Sequence, residues 1–121
     1  MTRLTVAGFG FRQGASVAAL QDAFARAGGK ADAVATATDK NGPLAQAFAA
    51  AIGLPLILVK PDDIADQPAN PSPHVPDRYG RRSLAEAAAL AAAGRGSVLT
   101  ATRITSADRM ATVALAEGTK E

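Results

Sequence analysis

A three-layer α/β/α domain is predicted, built on a mostly parallel five-stranded mixed sheet that ends in an antiparallel C-terminal strand pair. Three observations carry the prediction. Short apolar runs of strand length alternate with Ala-rich stretches of helical period, as strand–helix–strand crossovers require. Leu54 to Val59 is apolar without interruption, the pattern of a central strand covered on both faces. The last two apolar runs are about eight residues apart, too close for a helical crossover, so they are expected to pair antiparallel. With 121 residues the chain has room for one core and is read as a single domain over 1–121.

The elements follow in order. Leu4 to Gly8 reads as a short buried strand running into the glycine-rich segment Gly8 to Ser16. Val17, Leu20, Phe24 and Ala27 then form a helical stripe, with Ser16 as N-cap and Gly28-Gly29 as the stop. Ala33 to Thr36 is a second strand, and Thr38 to Pro43 a polar loop whose Pro43 suits a first helical position. Leu44, Ala47, Phe48, Ala51 and Ile52 make the clearest amphipathic stripe, closed by Gly53, and the Leu54 to Val59 strand follows. Pro61 to Pro76 carries five prolines and reads as a long loop with one short turn around Asp62 to Ala65. Ser83-Leu84-Ala85-Glu86 matches a capping box at the head of an Ala-rich helix that ends at Gly94. Val98 to Ala101 and Met110 to Ala116 are the final strands, and the polar tail beyond Glu117 is expected to fray.

Composition narrows the function classes. Aromatic residues are 4% of the chain, which leaves few rings for stacking on bases, and a net charge of +2 is too small for a general nucleic-acid footprint. No nucleic-acid partner is expected. The absence of cysteine removes disulfides, thiolate nucleophiles and Cys-type metal sites. With one histidine besides, neither a metal nor a cofactor is expected. The N-terminus lacks a signal-peptide pattern and no apolar run approaches membrane-spanning length, so a cytoplasmic protein without a membrane partner is expected.

In open sheets of this kind ligands bind beyond the carboxyl ends of the strands, at Gly8 to Ser16, Thr36 to Gly42 and Thr100 to Arg109 here. Gly8 to Ser16 combines a helix start, flexible backbone and Arg12, the ingredients of an anion site. Its G-x-G-x-x-x-G spacing is not the dinucleotide fingerprint, no acid is placed to hold a ribose, and a Walker-type lysine is missing. A nucleotide- or phosphate-binding domain stays open as a minor reading, and so does a plain tight turn. Arg78, Arg81, Arg82, Arg95, Arg103 and Arg109 face only Glu86 and Asp108 over that stretch, an excess that suits a small anion or a solvated basic surface. Glu86 fits an acid–base role or, more economically, the helix cap. His74 reads as a ligand contact or a solvated loop residue.

The run Gly8-Phe-Gly-Phe-Arg-Gln-Gly-Ala-Ser16 resembles the opening G-[IF]-G-C-R-[RK]-G-[TA]-S of the CobE and CbiG C-terminal family. The later pieces come in the family's order: Ala35-Thr36, Asp39-Lys40, Leu54-Pro55-Leu56, Ser72 and Val75, Gly80, Glu86 to Leu90, and Thr112 to Ala114. The resemblance spans nearly the whole chain. Phe11 stands where the family often has Cys, Gln13 where it often has a base, and Arg103 where Lys is usual. Loss of the thiol favours binding over covalent catalysis, and Arg103 keeps the charge with bidentate geometry.

The resemblance implies a place in cobalamin (vitamin B12) biosynthesis. CbiG-type proteins are associated with opening a lactone on a cobalt-precorrin and releasing acetaldehyde, and the chain is similar only to their C-terminal part. The implied role is an accessory protein that binds a corrin or precorrin intermediate as carrier or chaperone, with other pathway enzymes as further partners. The alternative is an enzyme acting on a precorrin, with Glu86, Lys40 or Ser72 as the candidate catalytic groups. The candidate ligand contacts are Gly8, Gly10, Phe11, Arg12, Gly14, Ser16, Thr38, Lys40, Thr102 and Arg103. Such a ligand is a broad apolar ring edged by carboxylates, so its site needs an apolar floor and separated cationic or N–H donors. Closure of the 61–76 proline loop over it as a lid is a further expectation.

Overall fold

The first strand, β1 (Thr2–Phe11), lies at the centre of the sheet and is longer than the run Leu4 to Gly8 implies. The computed structural model describes residues 2–65, 83–94 and 96–120. Beyond β1 come α1 (Val17–Arg26), β2 (Ala33–Ala37), a 3-10 turn (Thr38–Lys40), α2 (Pro43–Ile52), β3 (Leu56–Val59) and α3 (Pro61–Ala65). Helix α4 (Leu84–Ala93) and strands β4 (Val98–Thr105) and β5 (Ala111–Lys120) complete the order. The sheet runs β3-β2-β1-β5-β4. β1 pairs parallel with β2 and β2 with β3, while β5 is antiparallel to both β1 and β4. β1 to β4 therefore share one direction and β5 runs against them, the mostly parallel mixed sheet expected.

Helices cover both faces. On one, α1 and α2 pack Leu20, Phe24 and Phe48 over Phe9, Val34 and Val113. The Phe48 ring meets Phe9 edge-on at 5.1 Å between centroids and Phe24 at 6.2 Å, geometries that the ring quadrupole favours. On the other face α4 lies against Val6, Ala35, Val59 and Ala116, with Ile64 of α3 beside it. The caps form as the sequence indicates. Ser16 Oγ accepts the Ala19 amide at 3.1 Å, and Gly53 ends α2 in the left-handed region at φ 69°.

Helix α4 approaches the sheet unusually closely. Its residues 84–90 are all buried, and their alanines leave little side chain between helix and strand. A Cβ on Gly8 would overlap the Ala85 carbonyl oxygen and one on Gly118 the Ala93 carbonyl oxygen, so both strands need glycine where the helix backbone touches them. Leu84 lies over Gly10 and Ala93 over Gly118, so α4 runs antiparallel to β1.

Four sequence expectations are corrected. Gly10 belongs to β1 rather than to a loop: the strand runs past Gly8 to Phe11, and Gly10 lies under the Leu84 side chain of α4. The apolar run at Leu56–Val59 is an edge strand, not a central one; α2 leans toward β1 through Phe48, and Leu58 is left 41% exposed. β4 extends to Thr105, so Thr100 to Arg103 are strand residues. The polar tail is part of the sheet rather than frayed: β5 reaches Lys120, whose main chain pairs with Thr2.

Candidate functional site

β1 to β4 deliver their carboxyl ends to one edge of the sheet. There α1 and α2 begin, and the antiparallel α4 brings its own start to the same edge. Each helix N-terminus carries about half a positive charge from its unpaired amides, so this edge favours anions before any side chain is counted.

The chain leaves β1 through Arg12, whose amide donates to the Met110 carbonyl at 2.8 Å and whose carbonyl accepts the Ala15 amide at 3.1 Å. Gly14, at φ 88°, completes the turn into the Ser16 cap. From the neighbouring strand, the 3-10 turn carries Lys40 across so that its Nζ donates to the Phe11 carbonyl at 3.2 Å and lies 5.1 Å from the centre of the Phe11 ring. An ammonium has three donors and the carbonyl takes one. The Phe11 ring stacks on Phe9 at 6.2 Å, which ties this half-exposed ring to the core. Below it the fully buried Thr36 donates its hydroxyl to the Phe9 carbonyl at 2.8 Å, joining β2 to β1.

The β4–β5 turn closes the other flank. Asp108 Oδ1 accepts from the Ser106 hydroxyl at 2.6 Å and from the Met110 amide at 3.0 Å, and Ser106 Oγ in turn accepts the Ala111 amide at 3.1 Å. Asp22, on α1, accepts the Ala107 amide at 2.8 Å and Arg26 Nε at 2.9 Å, docking the turn on the helix. Hydrogen bonds hold both carboxyls below their ordinary value: the Ala107 amide first and then Arg26 for Asp22, the Ser106 hydroxyl first and then the Met110 amide for Asp108.

The structure thus brings Phe11, Arg12, Gly14, Ser16, Thr38 and Lys40 together at the carboxyl ends of β1 and β2, with Arg12 and Thr38 exposed. Gly8 and Gly10 lie lower in β1, turned toward α4. Thr102 and Arg103 stand on the edge strand β4, two places from β1 in the sheet, and both are exposed. Glu86 is completely buried in the first turn of α4. The cap at Ser83 forms, its hydroxyl oxygen accepting the Glu86 amide at 3.4 Å, while Glu86 Oε2 accepts the Arg103 amide at 2.8 Å. Ser72, His74, the proposed lid beyond Ala65, and Arg78, Arg81, Arg82 and Arg95 lie outside the described residues. Sequence reasoning missed Asp22, Met110 and the Ser106–Asp108 pair; a Ser-x-Asp between two strands is a turn signal for the last, and the others carry none.

Residues 5–116 match the family described as Cobalamin synthesis G C-terminus. Two solved structures are similar in fold and sequence. CobE, described as a protein from the cobalamin (vitamin B12) biosynthetic pathway, is 29% identical at a TM-score of 0.80, over 100% of this chain and 94% of its own. The cobalamin biosynthesis protein chiG from Agrobacterium tumefaciens str. C58 is 33% identical at a TM-score of 0.71, over 97% of this chain and 100% of its own. No curated protein matches the chain. Among the described residues no helix is long and apolar enough to cross a membrane.

Proposed function

The chain belongs to the cobalamin synthesis G C-terminus family, and from that membership we propose that it binds a corrin or precorrin intermediate as an accessory protein, carrying or sheltering it between enzymes of the cobalamin pathway. The observation that carries this reading is the junction of Phe11, Arg12 and Lys40. A lysine held by the Phe11 carbonyl stands over a half-exposed aromatic ring, with an exposed arginine on the residue after that phenylalanine. An apolar macrocycle fringed with carboxylates needs that combination: a ring surface to lie against and cations set apart to receive its acid arms. The helix starts gathered at the same edge add amide donors and a favourable field.

The catalytic alternative has less support. Glu86 is fully buried and engaged by a backbone amide, which suits a fixed structural acceptor better than a group exchanging protons with a substrate. A nucleotide reading is weakened because Gly8 and Gly10 serve helix packing within a strand.

The test is a titration of the purified protein with a metal-free corrinoid acid, followed by the pigment's visible absorbance. Saturable binding at micromolar concentration is expected, with Arg12→Ala and Arg103→Ala each weakening it about tenfold, the scale of one charge-assisted hydrogen bond. A folded protein that leaves the pigment free at those concentrations overturns the proposal. A pigment of changed mass after incubation would instead establish an enzyme.

A further inference from the structure

We propose that Glu86 is a positioning residue whose buried carboxylate holds a bulge in β4 and thereby aims Thr102 and Arg103 outward. The proposal rests on the corrinoid-binding reading above, since it assigns those two side chains to the ligand. β4 does not keep step with β5: Ala101 is opposite Leu115 and Ile104 opposite Val113, so Thr102 and Arg103 together face the one remaining residue, Ala114. Regular strands alternate faces, yet these two consecutive residues are both exposed. An extra residue in one strand has this effect, and such bulges recur where a side chain must be re-aimed.

A bulge leaves a backbone amide that the ladder does not take up in register. Here Arg103 N–H is donated to Glu86 Oε2 at 2.8 Å, from a strand at the sheet edge to a helix behind it. The carboxylate is fully buried, an arrangement that is costly unless hydrogen bonds and a favourable field offset it. Both are available, because Glu86 is the third residue of α4, inside the positive end of the helix, and Ser83 caps that end. A cap alone needs no buried glutamate. Its carboxylate reaches the one segment of β4 where a ligand-facing arginine departs from strand geometry, and that coincidence carries the proposal.

The experiment is a double-mutant cycle of Glu86→Ala with Arg103→Ala, read by corrinoid titration, together with amide-proton exchange at Arg103. Glu86→Ala is expected to weaken binding about tenfold, to speed exchange of the Arg103 amide by at least about tenfold, and to cost markedly less affinity once Arg103 is alanine, when only Thr102 is left to misplace. Glu86→Gln, which keeps a neutral acceptor, is expected to fall between wild type and alanine in both readouts. It carries the test alone if the alanine variant does not fold. Equal loss of affinity with and without Arg103, or an unchanged Arg103 amide, overturns the proposal. Failure of the wild type to bind any corrinoid acid sinks the functional reading, while the exchange measurement still decides whether Glu86 holds the bulge.

Discussion

Asp22 and Asp108 together hold the turn that flanks the candidate site. Each is held below its ordinary value of 3.8 by hydrogen bonds that only its ionised form makes fully. A carboxyl depressed on folding contributes stability above its unfolded pKa, and loses it as pH falls through the lower native value. The amide protons of Ala107 and Met110, which donate to these two groups, are therefore expected to shift on acidification with midpoints below 3.8, followed residue by residue in nitrogen-edited NMR spectra. Midpoints at or above that value would contradict the assignment. The Asp22 contact was illegible in the sequence because its partner amide is 85 positions away. Arg12 is legible as a candidate because a cationic residue beside a glycine-rich helix start is an ingredient of an anion site, whereas Lys40 is a candidate only through the family resemblance. What the chain does not announce is that Lys40 spends one donor on the Phe11 carbonyl.

At the level of elements, helices were read to within a residue or two, since Ser16, Pro43, Gly53 and Ser83 mark their ends chemically. Strands were read less well, and the reason is physical. Glycine normally signals a loop, and only the approach of α4 explains why Gly8 and Gly10 lie inside β1. An uninterrupted apolar run specifies burial in general and not a place in the strand order, so the sequence pattern does not distinguish the edge strand β3 from a central one. These contacts predict a ranking. Gly8→Ala forces a Cβ into helix backbone and is expected to destabilise the fold by about 3 kcal/mol, the upper range for overpacking. Gly10→Ala meets only the Leu84 side chain, 3.3 Å away at its flexible end, and is expected to cost less. Urea denaturation of the two variants checks the order; a reversed ranking would remove the case for backbone contact between α4 and β1.

For the molecule as a whole, layer order and the direction of four of the strands followed from the spacing of apolar runs, because crossover length and handedness leave few alternatives. The candidate site is placed by a related rule, that ligands gather at the carboxyl ends of parallel strands. The separation of its residues into a β1–β2 cluster and a β4 pair is not legible in the sequence, since it depends on β5 lying between β1 and β4 in the strand order. The tail offers a test at this scale. Removing residues 118–121 is expected to lower stability by about 2 kcal/mol, the sum of a few main-chain hydrogen bonds, and a urea midpoint equal to that of the full chain would show that the tail contributes nothing.

The pairing of Thr2 with Lys120 also fixes how the fold responds to force. Thr2 and Lys120 lie side by side on neighbouring antiparallel strands, so tension applied between them unzips β1 from β5 one rung at a time instead of shearing the rungs together. The fracture starts at the end of the sheet remote from Lys40 and Arg12 and divides the sheet through its middle. Its last rung, Phe11 with Ala111, borders the candidate site. Tension applied at Thr2 and Lys120 pulls from the far side, and the edge that carries the candidate site is the last part of that seam to come apart.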